Sequence, residues 1–220
     1  LIPSILEIGL LLLSSHCLRK SNDFLKQINP ISYYWYMTTI LTFVWECSFV
    51  STYIKTSDYA KELLEDEKHV WTSKYDLSYV LPWKLSRIFY AEYAAYADRE
   101  YYTNEDDWSR VIESTHAIFC GLFSLGAIIC KMREKNNHYL ITASIAMSAQ
   151  LMNSILYMIE YSIQTTEPSS VNYNNASFPT GTWLSKRPFM WVNIFWTVMP
   201  FYTLCLLLNK SLTSVAKRTV

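Results

Sequence analysis

Four glutamates lie inside or at the ends of long apolar stretches of this chain. They are Glu7, Glu46, Glu113 and Glu160. An ionisable side chain is costly to bury in a membrane, so each glutamate marks a candidate functional site. Glu46 and Glu113 are the stronger candidates, because Glu7 and Glu160 lie close enough to the ends of their stretches to be solvated. A buried carboxyl group can transfer a proton or stabilise a nearby positive charge.

Other polar side chains accompany these glutamates at helical spacing. His116 follows Glu113 by three residues, so both lie on one helical face. The imidazole makes His116 a candidate proton carrier, because it titrates near neutral pH. Asn193 and Trp196 are also three residues apart, and the face of a tryptophan attracts cations. This set indicates proton transfer around a positively charged ligand, with simple helix packing as the alternative for His116 and Trp196.

One further polar stripe contains Gln150, Asn153, Tyr157 and Glu160. Side chains of this kind join membrane helices by interhelical hydrogen bonds. We favour that structural interpretation for Gln150 and Asn153.

Five apolar stretches must position all of these residues. They are Leu1–Leu18, Tyr34–Tyr53, Val111–Cys130, Tyr139–Ile163 and Pro188–Leu208. Each approaches the roughly 20 residues that a helix needs to cross a bilayer, and unpaired backbone groups in lipid require helices. The sequence therefore predicts an all-α, five-helix transmembrane bundle that forms a single domain over residues 1–220. A buried soluble bundle is the alternative, but five such runs in one short chain argue against it.

The connections between these stretches carry different numbers of charged residues on the two sides of the predicted membrane region. One side carries nine basic residues against Asp23 and Glu134, and the other carries thirteen acidic and ten basic residues. The positive-inside rule places the basic side, with the C terminus, in the cytosol. A glycosylation sequon begins at Asn175 and falls on the opposite, luminal side, where such acceptors must lie.

The long connection between the second and third stretches has helical character of its own. The segments Tyr59–Lys68 and Trp83–Tyr96 carry it, and aromatic residues dominate the second segment. Aromatic side chains of this kind favour the membrane surface. We therefore expect a structured luminal segment that forms a lid or collar over the bundle.

Composition excludes several classes of function. The formal net charge is zero, which gives no support for nucleic-acid binding. All five cysteines lie in or at the ends of the apolar stretches, so neither a disulfide framework nor a metal-ligand spacing is evident. We expect no cofactor and no metal.

Several of these residues, in this order, resemble the pattern of a known family. The matching positions are Glu46, then Glu92–Tyr93 with Asp98–Tyr101, then Val111–Glu113 with Gly121–Leu125, then Gln150 and Tyr157, and finally Trp191–Pro200 (WVNIFWTVMP). The chain resembles the emopamil-binding protein family, the sterol Δ8-Δ7 isomerases of the EXPERA superfamily. The resemblance extends from Tyr34 to about Leu208.

The resemblance implies a reaction and a set of residues. An acid protonates the sterol double bond, a carbocation forms at carbon 8, and a base removes a proton from carbon 7. The catalytic residues would be Glu46, Glu113 and Asn193, with Asn193 orienting a carboxylate, and the residue pattern itself adds His116 as the proton carrier. The substrate-binding residues would be Thr42, Tyr101, Gln150, Tyr157 and Trp196. The ligand would be a sterol or another lipid-like molecule, and the protein would contact membrane lipids. Assembly into a homodimer is a further possibility.

Two positions depart from the family pattern. The family carries a histidine where this chain has Thr42, and a threonine where this chain has His116. Either the imidazole reaches the same cavity from another wall, or the cavity serves a different reaction. The alternatives are a membrane terpene cyclase on the same scaffold, a non-catalytic sterol- or amine-binding protein, and a subunit of a membrane complex. We expect a location in the endoplasmic reticulum membrane, where Lys217 and Arg218 would form a dibasic retrieval signal.

Overall fold

The computed structural model describes residues 2–103 and 108–216, and within these ranges it is helical, without strands. The α-helices are α1 (Ile2–Ser21), α2 (Asp23–Lys26), α3 (Pro30–Ser51), α4 (Tyr53–Glu65), α5 (Pro82–Tyr96), α6 (Ser114–Met132), α7 (Asn136–Gln164) and α8 (Pro188–Ala216). Short 3₁₀ turns occupy Val70–Thr72, Leu77–Val80, Arg99–Tyr101 and Leu184–Lys186, and a π-helical turn, Trp108–Glu113, leads into α6. Lys217 and Arg218 lie outside the described residues.

Four helical segments are long and apolar enough to cross a membrane. They are Ile2–Ser21, Arg110–Met132, Asn136–Gln164 and Met190–Ser211. Each also exposes large apolar side chains, such as Leu13, Leu122, Ile159 and Phe201. Exposed apolar surface of this extent is typical of contact with lipid. The chain therefore has the pattern of a multi-pass membrane protein.

The second predicted span forms a helix but is less apolar than these four. Helix α3 has 22 residues and begins at Pro30, with the Asn29 side chain accepting hydrogen bonds from the first turn. It falls outside the apolar set because serine, threonine and tyrosine residues and Glu46 occupy much of its length. Several hydroxyl groups are satisfied within the helix, as when Thr42 donates to the carbonyl oxygen of Thr38 at 3.1 Å.

The long helices pack in a closed order. Helix α3 packs on α6, α6 on α7 and α7 on α8, and α8 contacts α3 again. Gly121 allows the closest approach between α3 and α6, because a Cβ at this position would overlap the Cβ of Phe43 and lie 3.1 Å from the carbonyl oxygen of Thr39. Helix α1 contacts α3 and α5. We use the term loop end for the end of the bundle where α3 finishes and α6 and α8 begin.

Helices α4 and α5 form the structured part of the connection at the loop end. Helix α5 corresponds to the predicted segment Trp83–Tyr96. Helix α4 overlaps the predicted segment Tyr59–Lys68, but it begins earlier, at Tyr53, and ends at Glu65. Helix α5 does more than cover the bundle, since ten of its 15 residues are buried and it packs against α3 and α4. Small residues on α5, Ala91, Ala94 and Ala95, are fully buried and allow this close packing. Helix α5 is therefore part of the core rather than a collar on its surface.

Candidate functional site

A cavity of about 420 Å³ extends into the bundle from the loop end. All nine residues proposed from the sequence as catalytic or substrate-binding line it: Thr42, Glu46, Tyr101, Glu113, His116, Gln150, Tyr157, Asn193 and Trp196. Helices α1, α3, α5, α6, α7 and α8 all contribute to the wall. The volume lies within the range of small-molecule sites. The chemical roles of the nine residues stay predictions.

Glu46 is 5% exposed and is held by two hydroxyl groups from other elements. Tyr90 on α5 donates to its Oε1 atom, and Ser114 at the start of α6 donates to its Oε2 atom at 3.0 Å. The Tyr90 ring stacks on Phe49, with centroids 4.7 Å apart. Both carboxyl oxygens of Glu46 therefore accept hydrogen bonds from neutral donors.

Glu113 occupies the junction between the π-helical turn and α6. Such turns within helices often occur at functional sites, because they redirect side chains out of the regular helical pattern. The Asn153 side-chain amide on α7 donates to both carboxyl oxygens of Glu113, at 3.0 and 2.9 Å. Because Ser114 is bonded to Glu46, the two glutamates approach the cavity from adjacent positions on α3 and α6.

His116 lies one helical turn further along α6 and is half-buried in the cavity wall. Its Nε2 atom lies 3.1 Å from the Sγ atom of Cys120. Thr42 on α3 lines the same cavity, so the two positions at which the chain departs from the family pattern face one space. Both positions therefore border the same cavity.

A chain of hydrogen bonds leads from the cavity to a buried aspartate. Asn193 Nδ2 donates to Tyr93 Oη at 3.1 Å, and the Tyr93 and Tyr157 hydroxyl groups are bonded to each other. Tyr157 Oη donates to Asp98 Oδ2 at 2.7 Å. Asn193 therefore contacts a tyrosine, and the amide that orients a glutamate is supplied by Asn153 instead.

Asp98 is the last residue in this chain of hydrogen bonds, and it lies outside the apolar helical segments. It is 1% exposed and accepts a hydrogen bond from Asn172 Nδ2 at 2.7 Å. Burial raises the pKa of Asp98, although the hydrogen bonds from Tyr157 and Asn172 oppose the shift. Asn172 also bonds to Gln164 at the end of α7, so Asp98 ties α5, α7 and the following loop together.

Gln150 and Trp196 line the cavity, and Trp35 contacts both of them. Trp35 Nε1 donates to Gln150 Oε1 at 2.8 Å. The Trp35 ring packs against Trp196, with centroids 4.9 Å apart and planes inclined by 58°. Ser154 donates to the carbonyl oxygen of Trp196 at 2.9 Å. Trp196 is therefore held in place while it lines the cavity.

Glu7 contributes to the α1 side of this region, and its surroundings differ from the expectation. A solvated position was predicted, but Glu7 is 4% exposed. Trp45 Nε1 donates to Glu7 Oε1 at 3.2 Å, and Trp45 itself lines the cavity. The difference arises because α1 packs along α3 and α5, which hydropathy does not reveal. Glu160 is half-buried near the end of α7.

Among the Asp, Glu, Lys and Arg side chains of the described residues, only glutamates line the cavity wall. Glu46 and Glu113 line it, whereas no lysine or arginine appears in its lining within the described part of the chain. Most other lining residues are apolar or aromatic. Two carboxyl groups held by neutral donors in apolar surroundings favour a positively charged ligand or intermediate. Among residues 2–103 and 108–216, no cluster of His, Cys, Asp or Glu is suited to a metal ion.

The set proposed from the sequence left out several residues that complete the site, and four of them bear on the glutamates and Asn193. Tyr90, Tyr93, Ser114 and Asn153 all contact a proposed residue directly. Asn153 was visible as part of the polar stripe on α7, but its spacing suited a helix contact equally well. Tyr90 and Tyr93 belong to the aromatic segment of α5, whose burial in the bundle was not predicted.

Comparisons of this chain with protein-family models, curated proteins and solved structures found no match. The family resemblance therefore stays a prediction, and function is argued from the site itself.

Proposed function

We propose that this protein is a membrane-embedded isomerase that moves a sterol double bond from the Δ8 to the Δ7 position. One observation carries the proposal. Glu46 and Glu113, from two different helices, line one largely apolar cavity together with His116 and Trp196, and the described lining contains no lysine or arginine. An apolar molecule that becomes positively charged during its reaction suits such a cavity.

The reaction requires one proton in and one proton out. An acid adds a proton to carbon 9 of the C8=C9 double bond, and the electron pair of that bond forms the new C–H bond. Carbon 8 is left positively charged. A base then removes a proton from carbon 7, and the C–H electron pair forms the C7=C8 bond. The number of electrons in the sterol is unchanged, so the reaction needs no oxidant or reductant.

The side chains divide these tasks. His116 is the proton carrier, because an imidazole exchanges protons near neutral pH. Glu46 and Glu113 stabilise the carbocation, and the Trp196 ring faces it. Asn153 holds the carboxyl group of Glu113 in place. Thr42, Tyr101, Gln150 and Tyr157 complete the wall around the sterol.

We propose a five-span topology for this enzyme, with α3 as a span shielded by its neighbours. The partial burial of α3 by α6 and α8 supports this, since a polar face can cross a membrane when other helices cover it. Basic residues at the end of the bundle opposite the loop end support a cytosolic C terminus. The endoplasmic reticulum membrane is the proposed location.

Amine or sterol binding without turnover is the second candidate. The same carboxyl groups and the same tryptophan face would hold an ammonium group as well as a carbocation. In that case the ligand would be found unchanged after incubation with the protein.

Product analysis distinguishes the two functions. Purified protein in lipid nanodiscs is incubated with a Δ8 sterol, and the double bond is located by mass spectrometry and NMR. We expect conversion to the Δ7 sterol, and far slower conversion by the Glu113→Gln variant prepared in the same way. Recovery of bound but unchanged Δ8 sterol from folded wild-type protein would overturn the isomerase and favour the binder.

A further inference from the structure

A second cavity of about 260 Å³ lies beside the first, between α1 and the connection at the loop end. We call it the side chamber. Its wall is made by residues of α1, α3 and α5 and by the segment around the Val70–Thr72 turn: Pro3, Ser4, Ile8, Trp45, Val70, Trp71, Tyr75, Leu85, Ile88 and Phe89. No carboxyl or basic group lines it within the described part of the chain. The sequence patterns did not indicate this chamber.

The side chamber shares part of its wall with the larger cavity. Ile8, Trp45 and Phe89 line both spaces. The Trp45 and Phe89 rings pack against each other with centroids 5.1 Å apart. The two spaces are therefore adjacent, and these three side chains form the boundary that a ligand reaching both spaces must pass.

Hydrogen bonds and ring stacking hold one wall of the side chamber against α5. Glu92 on α5 is fully buried, and its carboxyl group accepts hydrogen bonds from the Val70 amide at 2.9 Å and from His69 Nδ1 at 2.6 Å. Trp71 stacks on the His69 ring, with centroids 4.2 Å apart. These contacts hold Val70 and Trp71 against α5, so the chamber has a fixed outer boundary.

Two polar groups of the chamber wall already form hydrogen bonds within the protein, so the wall offers few hydrogen-bonding groups to a polar ligand. The Tyr75 hydroxyl is bonded to the Tyr59 hydroxyl at 2.7 Å. The Trp45 indole nitrogen is bonded to Glu7 at 3.2 Å. An apolar cavity of ~150 Å³ accommodates benzene, so by the same ratio the side chamber has room for roughly ten carbon atoms. A hydrocarbon chain fits this chemistry and this size.

We propose that the side chamber is a binding subsite for the aliphatic tail of the ligand whose ring system occupies the larger cavity. The subsite rests on the proposed function, because it assigns the sterol side chain to the side chamber and the sterol nucleus to the space beside Glu46 and Glu113. Burial of the tail then contributes to affinity and sets the orientation of the rings relative to the glutamates. Ligands with a long alkyl side chain are preferred over those without one.

A space-filling substitution at Ser4 tests this subsite. Ser4→Phe adds bulk inside the chamber, whereas Ile5→Phe, at the next position, adds it where the side chain is 67% exposed. The probes are two radiolabelled sterols with the same rings, one with an eight-carbon side chain and one without it. Equilibrium binding of both is measured in nanodiscs of one lipid composition. Partitioning into lipid then cancels when the affinity ratio of the two sterols is compared between variants.

Burial of only two methylene groups of the tail would favour the tailed sterol by about tenfold. We expect Ser4→Phe to reduce the affinity ratio at least about tenfold relative to wild type and Ile5→Phe, with the affinity for the tail-less sterol nearly unchanged. Val70→Phe, which fills the chamber from another wall, should act in the same way and serves if Ser4→Phe fails to fold.

An unchanged ratio in folded Ser4→Phe and Val70→Phe would overturn the subsite, as would an equal loss of both sterols. That result leaves the isomerase standing if the wild-type protein still forms the Δ7 product. Conversely, a tail-dependent ratio without any product would retain the subsite and remove the isomerase. Failure of the wild-type protein to bind either sterol would overturn both proposals.

Discussion

Asn153 on α7 donates its amide to both carboxyl oxygens of Glu113, the last residue of the π-helical turn before α6, at 3.0 and 2.9 Å. This pair fixes the position of one of the two acidic groups in the cavity. A typical hydrogen bond contributes about 0.5–1.5 kcal/mol net. Loss of both bonds should therefore reduce isomerase turnover in Asn153→Leu by roughly tenfold. Turnover of the Δ8 sterol by purified variants is the measurement.

A double-mutant comparison tests whether Asn153 acts through Glu113. Turnover should fall as far in Glu113→Gln as in Glu113→Gln combined with Asn153→Leu, because the amide has no carboxylate left to orient. Met152→Leu, at a neighbouring exposed position, is the matched control and should keep wild-type turnover. Wild-type turnover in Asn153→Leu, or additive losses in the double variant, would contradict this role.

The imidazole of His116 should be required for proton transfer. We expect His116→Ala to reduce turnover by roughly 10²–10⁴-fold, the usual contribution of a general acid or base. Because Thr42 lines the same cavity, adding Thr42→His to His116→Ala should restore part of the turnover. Gel filtration would verify that both variants fold. If His116→Ala kept full turnover and Thr42→His alone raised it, His116 would not be the proton carrier.

The hydrogen bond from Tyr157 to Asp98 should stabilise the fold. Tyr157→Phe leaves a buried carboxyl group without one of its donors and breaks the chain to Tyr93. The expected loss of stability is about 1–3 kcal/mol, seen as a lower melting temperature in detergent. Tyr202→Phe removes a hydroxyl group from a partly exposed position on α8 and should melt like the wild type. Equal melting temperatures for Tyr157→Phe and wild type would refute the structural role of the bond.

Substitution of Gly121 by alanine should destabilise the bundle more than the same substitution at Gly126. Gly121→Ala places a methyl group against Phe43 and the Thr39 carbonyl oxygen, so α3 and α6 must separate. We expect gel filtration to give a much lower yield of monodisperse protein for Gly121→Ala than for the wild type. At Gly126 the nearest atom, Thr142 Cγ2, is 4.0 Å from an added Cβ, so Gly126→Ala should fold normally. Similar yields of the two variants would show that the α3–α6 contact is looser than described.

Hydropathy predicted the helices that face lipid but not the partners of their polar residues. Helices α1, α6, α7 and α8 follow from long apolar runs, because a membrane span must be apolar over most of its length. All nine proposed site residues line one cavity. The chemistry and spacing of polar residues indicated Glu46, Glu113, His116, Asn193 and Trp196, and the comparison with the family pattern added Thr42, Tyr101, Gln150 and Tyr157. Which residue meets which across that space depends on helix rotation and offset, so Asn153 could not be assigned to Glu113.

The region before α6 illustrates the same limit. The two helical segments between α3 and α6 were recognised from their composition, but the aromatic residues of α5 also suited a membrane surface. Close packing of Ala91, Ala94 and Ala95 instead carries Tyr90 and Tyr93 into the cavity wall. Glu7 was misplaced for a related reason, since its contact with Trp45 requires α1 to lie along α3. Contacts distant in sequence decided these positions.

Isomerisation in heavy water tests the central claim most directly. The Δ8 sterol is incubated in D₂O with wild-type protein, and the product is analysed for the position of the double bond and of deuterium. Because His116 exchanges its proton with solvent before the sterol reacts, we expect Δ7 product with one deuterium at carbon 9, and far less product from Glu113→Gln. Unchanged sterol, or Δ7 product without deuterium from the solvent, would contradict protonation of a sterol double bond in the cavity of Glu46 and Glu113.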